Sequence, residues 1–408
     1  MRRPHYAWFV CLGGALSLFT VMGLGVNIFT IYQPEIIAAN GFTNAQGSWI
    51  TTTRSLFILA ALLVVNQLCA KIGLRLVMTL GMLLVGLSCF SFGLAERFPM
   101  YCLSAALTGL GYCFGGMVPL SLIISNWFDS RRGLALGLAS AGSGVATIFL
   151  PPIVTGLVRS SGLKTAFFAE GTLILVLTAV NWLLLRSAPE PMGLEPYRLE
   201  GEAAPAVSAP PSKGFGRGPV LVLLLAAFLL GGPVGPAFTH LTVLFTSEGF
   251  DAMTVAGLMS YAGLCVFVSK IVCGQLNDRL GGLWSNYIIL GVYLAGLLLC
   301  CLAGSGSLAL AYLAMTAFSF GISVTGPSPS VWARDLAAAE DYAKTVRAIT
   351  TAYTFGMLVF GPIPGIMADR FGSYVPAYAL FALFQLVLTV LIQGLYHKLG
   401  VGRRPLRA

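Results

Sequence analysis

Apolar stretches of about twenty residues follow one another almost end to end, and this pattern constrains the chain more than any other feature. A helix needs roughly 20 apolar residues to cross about 30 Å of hydrocarbon, and only helices or closed barrels leave no backbone group unpaired there. Twelve such stretches are expected, at about 6–30, 47–70, 74–95, 98–125, 133–157, 165–186, 218–245, 254–275, 284–304, 306–330, 345–368 and 374–396. Charge is correspondingly scarce: 10% of the 408 residues, against about 25% in a soluble domain. The expected fold class is an all-α membrane protein of twelve transmembrane helices, with the lipid bilayer as its solvent. Met1-Arg2-Arg3 ahead of the first stretch resembles a secretory leader, but the stretch is too long for one and reads as a retained helix.

The net charge of +9 invites a nucleic-acid reading, which its placement opposes. If the N-terminus is cytoplasmic, eighteen of the 24 Lys and Arg fall on the cytoplasmic side and only Arg97, Arg159, Lys164 and Arg370 on the other. The positive-inside rule then sets the orientation, with both termini in the cytoplasm. The charge is topological, and no nucleic-acid partner is expected. The two remaining basic residues, Arg54 and Lys270, fall inside spans. The nine cysteines lie in or beside apolar stretches without metal-ligand spacing and read as packing residues.

One long polar stretch, 187–217, is rich in Pro, Ala, Gly and charge and is expected to be a flexible cytoplasmic linker. It divides the chain into a six-helix half at 1–186 and another at 218–408. An internal repeat supports the division. Residues 66–75, NQLCAKIGLR, superpose on 274–283, GQLNDRLGGL, at an offset of 208 that aligns Gln67 with Gln275, Leu68 with Leu276 and Gly73 with Gly281. Six-helix repeats of this kind place a substrate near the midplane, between the halves.

The second copy, GQLNDRLGG, resembles the cytoplasmic signature of the major facilitator superfamily. In the first copy Asn66 replaces the leading glycine and Ala70 the aspartate, which puts an acidic gate contact there in doubt. Two further places narrow the resemblance. Residues 128–144, FDSRRGLALGLASAGSG, look like the fifth-span signature of the monocarboxylate transporter family and its bacterial oxalate/formate-exchanger relatives. Residues 361–374, GPIPGIMADRFGSY, preceded by Arg334-Asp335-Leu336, are similar to that family's pattern at spans 10 to 12. Its first-span signature is echoed only loosely at Tyr6-Ala7-Trp8. The small residues of span 5, Gly133, Gly137, Ala141, Gly142 and Gly144, sit at helical spacings that let another helix approach closely. Pro151-Pro152, Pro362 and Pro364 are expected to kink their helices.

An unpaired ammonium in hydrocarbon costs at least a few kcal/mol, so Lys270 requires a reason. It lies about two-thirds of the way along span 8. The resemblance implies a position where related carriers hold the substrate carboxylate with an arginine; lysine offers a point charge in place of a planar fork. Several relatives pair that cation with an aspartate four residues earlier, and here the position is Val266. The competing reading is a lysine that snorkels to the cytoplasmic interface. Arg54, about two turns from the outer end of span 2, either lines the path or snorkels outward. Asn27 stands where some relatives have a lysine. Tyr32, Tyr112, Tyr261 and Tyr353 are candidate hydroxyl donors and ring walls, and His240 is either a substrate contact or a hydrogen-bonded structural histidine. Asp278, Arg279, Arg131, Arg132 and Asp335 are the gating candidates at the cytoplasmic mouth. For moving a proton the candidates are Lys270, His240 and Glu170, the one carboxylate within a span, about a turn inside the sixth; the sequence favours Lys270.

These features imply a secondary active transporter of small organic anions, foremost monocarboxylates, working by alternating access and coupled to protons. It is expected as a monomer in the plasma membrane, the bacterial inner membrane by its relatives. An organic-anion exchanger of the oxalate/formate type and a non-transporting receptor with the carrier fold are the alternatives. No nucleophile–base pair, metal cluster or phosphate loop is visible in the sequence, so neither an enzyme nor a cofactor is expected.

Overall fold

Ten helical stretches among the described residues are long and apolar enough to cross a membrane. They belong to a computed structural model that describes residues 5–198, 217–325, 328–336 and 341–402. The stretch Arg132–Leu184 is two helices joined at Gly162, whose φ of 82° no helix contains. Leu308–Ile322 is shorter, at 15 residues, and is followed by the helix Ser328–Leu336. The twelvefold division expected from the sequence rests on that split and on the short helix. Large apolar side chains remain uncovered along these helices, Leu63 at 77% and Leu183 at 67% exposure among them, as lipid-facing positions should.

The chain divides into two compact units, Met1–Phe42 with Thr53–Val207 and Thr43–Thr52 with Ser208–Ala408. The first two turns of the helix Asn44–Ile72 thus cluster with the second unit. There the backbone N–H groups of Asn44 and Ala45 donate to Asp369 at 2.9 and 2.8 Å, and the Tyr374 hydroxyl donates to Asn44 Oδ1 at 2.9 Å. A carboxylate at a helix N-terminus satisfies free N–H groups and complements the helix dipole.

The 208-residue repeat is visible in the backbone. Gly73, between the helices Asn44–Ile72 and Leu74–Leu94, has φ 85° and ψ 152°. Gly281, between Ala252–Asn277 and the next helix, has φ 73° and ψ 173°. Only glycine occupies this region at low cost. A second pair, absent from the sequence reading, is Gly41 and Gly249, with φ 61° and 93°. After each, an N–H reaches back five residues, Phe42 to Ile37 and Phe250 to Phe245, both at 3.1 Å. This closes the preceding helix in the same way twice. Thr43 and Asp251 then cap the helices that follow: Thr43 Oγ1 accepts from Gln46 N, and Asp251 Oδ2 from Met253 N and Thr254 N.

Several span boundaries differ from expectation. The first helix runs on to Asn40 instead of stopping near residue 30, and passes through a π-helical stretch at Phe19–Ile28. The expected single span 218–245 is broken into Arg217–Val234, Pro236–Thr239 and Leu241–Ser247. Pro236 cannot donate to the ladder, and Gly235 is pressed against Met357. Pro362 ends the helix Tyr342–Phe360 and starts Ile363–Phe371. In the span-5 seam, a methyl group on Gly142 would sit 2.0 Å from the Ala15 carbonyl, whereas Gly137 meets nothing within 4 Å. Gly142 of that stripe is therefore a close helix contact and Gly137 is not.

The polar stretch expected to be a flexible linker begins as an ordered strap. Tyr197 N donates to Trp127 O at 2.8 Å, and the N–H groups of Asp129 and Ser130 donate to Tyr197 O. The Tyr197 ring packs among Trp8, Phe128 and His5. These contacts fix residues up to 198 on the first unit; 199–216, the rest of the expected linker, lie outside the described residues.

Candidate functional site

In the second unit Lys270 lies on a helix surface. Lys270 is exposed on the helix Ala252–Asn277, and among the described residues it makes no hydrogen bond or ion pair. Its neighbour Ser269 turns inward by the 100° step of the helix and is hydrogen-bonded to Ser323 Oγ and to the Ser319 carbonyl. Packing therefore holds the helix by its opposite face and leaves the ammonium unpaired. Tyr261, on the same helix, is half-buried; its hydroxyl pairs with Thr316 Oγ1 at 2.8 Å and its ring meets Tyr312 edge-on. Tyr353 is half-buried, and its carbonyl lies against Gly231.

His240 is fully buried. Its Nδ1 lies 2.8 Å from the Pro236 carbonyl, an acceptor only, so Nδ1 carries hydrogen. Nε2 lies 2.7 Å from Ser48 Oγ. In the neutral tautomer Nε2 accepts from that hydroxyl, and both ring nitrogens are used.

In the first unit Arg54 is 4% exposed, with its guanidinium 5.5 Å from the centroid of the Phe29 ring and within electrostatic reach of Tyr112. A cation over an aromatic face recovers part of its lost hydration. Asn27, in the π-helical stretch, donates to Thr147 Oγ1 at 2.8 Å. Glu170 is 6% exposed and lines a cavity of about 10 Å³ together with Tyr32. Sequence reasoning named both residues without joining them. Nothing in the pattern of one span signals which residue of another it will face.

The gating candidates fall into two groups, one in each unit. Asp335 Oδ1 accepts from Arg334 Nε at 3.0 Å and Oδ2 from the Tyr396 hydroxyl at 3.1 Å. Gly282 lies so close to Asp335 Oδ2 that a methyl group would not fit, so the aspartate sits on the turn of the GQLNDRLGG stretch. Arg279 is exposed, and the Asp278 side chain lies outside the described residues. In the first unit Arg132 donates to the Phe128 carbonyl and approaches Asp129 at 3.6 Å, while Arg198, from the strap, reaches Asp129 at 3.3 Å. Arg131 is exposed in a left-handed conformation, φ 59°. Both groups are ion clusters at helix ends; the one around Asp129 is exposed, and Asp335 is largely covered.

Similarity to known proteins agrees with this architecture. A family profile described as Major Facilitator Superfamily matches residues 14–352. The chain is 25% identical over 303 residues to the MFS-type transporter pynF of Aspergillus niger, covering 72% of this chain and 66% of that protein. It is likewise 25% identical over 293 residues to monocarboxylate transporter 13 of Rattus norvegicus, covering 71% and 66%. The matched stretch thus spans just under two thirds of each relative. Among solved structures, that of the nucleoside transporter NupG superposes with a TM-score of 0.73 at 11% identity, over 96% of this chain and all of the other. At that identity the likeness speaks for the fold alone.

Proposed function

Because the chain belongs to the Major Facilitator Superfamily and is a multi-pass membrane protein, we propose that it is a secondary carrier of small organic anions, foremost monocarboxylates. The observation that supports this most is Lys270. It is an exposed lysine about two-thirds of the way along a spanning helix, without a hydrogen bond or ion pair among the described residues. Such a charge is expensive until an anion neutralises it, which is what a binding group for a carboxylate requires. The monocarboxylate transporters among the relatives are about a quarter identical over the 273 to 293 residues aligned and support the same substrate class. Arg54, buried and stacked on Phe29, serves as a fixed positive charge in the first unit.

Alternating access by the two six-helix halves, proton coupling, cytoplasmic termini and a plasma-membrane location complete the proposal. Purified protein in vesicles loaded with buffer alone tests it. Uptake of free lactate or formate is the expected result. Uptake that needs an anion inside identifies an exchanger, and binding without flux identifies a receptor.

A further inference from the structure

The interior of the first unit holds a carboxyl that anion binding at Lys270 leaves unused. Glu170 Oε2 and the Tyr32 hydroxyl are buried, interact with each other and have no other hydrogen-bond partner among the described residues. Both line one cavity, walled by the Phe29, Phe92 and Phe167 rings. The rings are in contact one after another: Tyr32 stacks on Phe167 at 4.1 Å and Phe167 on Phe92 at 5.3 Å, while Phe29 meets Phe92 at a tilt, 5.1 Å away. The other polar groups on the wall are Cys89, Ser88 and Thr108, and the Thr108 hydroxyl already donates to Ser88. The titratable groups facing Glu170 are therefore Tyr32 from the first helix and Cys89 from the helix Leu74–Leu94; its own helix contributes none to the cavity. The Arg54 guanidinium lies over Phe29, and no cation contacts the carboxyl among the described residues.

Size decides what such a cavity can take. At about 10 Å³ it has room for roughly one water and none for a carboxylate substrate. An ionised carboxylate closed in there costs several kcal/mol for want of a cation, since the Tyr32 hydroxyl is its one polar neighbour able to donate strongly. A neutral carboxyl needs one hydrogen bond, to Tyr32 or to one water. The wall bearing Leu24, Gly25, Phe29 and Tyr32 belongs to the helix with the π-helical stretch, a form that is rare, appears mostly as single turns and is frequent at functional sites. That wall is the element able to repack and admit water.

We propose that Glu170 is the proton-binding group of this carrier: its carboxylate takes a proton from hydronium while the cavity is open to water, stays a neutral carboxyl while the cavity is closed, and returns the proton to water when the cavity next opens, with Tyr32 positioning it. The inference rests on the carrier reading above, and it moves the proton from Lys270, which the sequence favours, to the other unit.

Two measurements test it, one independent of any substrate. Infrared difference spectra of the protein in nanodiscs, between acidic and alkaline pH, should show the carbonyl band of a buried carboxyl, and Glu170→Gln should lack it. In vesicles, an inward proton gradient should accelerate wild-type lactate uptake about tenfold. Glu170→Gln should lose that acceleration while still exchanging lactate for lactate, and Tyr32→Phe should shift the pH midpoint of uptake. Should Glu170→Gln fail to fold, the wild-type band and the Tyr32→Phe shift decide the matter. A band that persists in Glu170→Gln, or uptake by that variant that still follows the gradient, overturns the inference. Wild-type protein that moves neither lactate nor formate sinks the carrier reading and leaves the proton site to stand or fall on the infrared band.

Discussion

At residues 41–43 and again at 249–251 the chain leaves a helix through a left-handed glycine, closes it with the same five-residue bond and caps the next helix with an oxygen side chain. Positions 32 and 240 share the same spacing of 208, yet their side chains have nothing in common. Tyr32 lines a cavity with a buried carboxyl that has no cation beside it among the described residues; His240 has both nitrogens bonded. The two units thus repeat their turns and diverge in their interior chemistry. A turn with positive φ admits essentially one residue type, so its sequence is held in place. A buried polar position needs only its own neighbours to agree, and each unit has settled that separately.

The sharpest break between the units is charge. Lys270→Ala should lower carboxylate uptake below detection while the protein still inserts, and Lys270→Arg should keep part of it because the charge remains. Normal flux in the alanine variant would remove the second unit from substrate binding. The shared turns come next in size. Gly73→Ala and Gly281→Ala should each cost about 1–3 kcal/mol, read from denaturation in detergent. If one is neutral, the two turns are not equivalent. His240→Gln should cost a similar amount, about 1–3 kcal/mol, by leaving a buried partner unsatisfied, with uptake retained. Lost uptake at unchanged stability would instead make His240 a substrate contact. The smallest effect is at the caps, where Thr43→Ala and Asp251→Ala should each cost about 1 kcal/mol.

Hydropathy carried most of the fold, because a segment that must cross a bilayer declares its length in apolar residues. The offset between NQLCAKIGLR and GQLNDRLGG also marked Gly73 and Gly281 before their φ angles were known. Gly41 and Gly249 went unnoticed, although each stands in a Gly-Phe pair followed by a capping residue. The breaks around residue 235 were signalled by Pro233, Gly235 and Pro236 but were outweighed by an uninterrupted apolar run. The π-helical stretch at 19–28 has no proline to announce it. The candidate site was less legible than the fold. Lys270 and Glu170 stood out as charges among apolar residues, but the facing of Glu170 and Tyr32 depends on how the first and sixth spans rotate against each other, which periodicity does not encode.

The strap at Tyr197 has a practical consequence for dividing this protein into halves. Composition alone would place a cut at residue 187, where the polar stretch begins. Such a cut would strip the first fragment of Tyr197, whose ring packs against both Trp8 and Phe128 and whose backbone closes the turn at Asp129. A cut after Arg198 leaves that fragment its own C-terminal seal. Co-expressed fragments 1–198 and 199–408 should therefore accumulate and recombine better than 1–186 and 187–408.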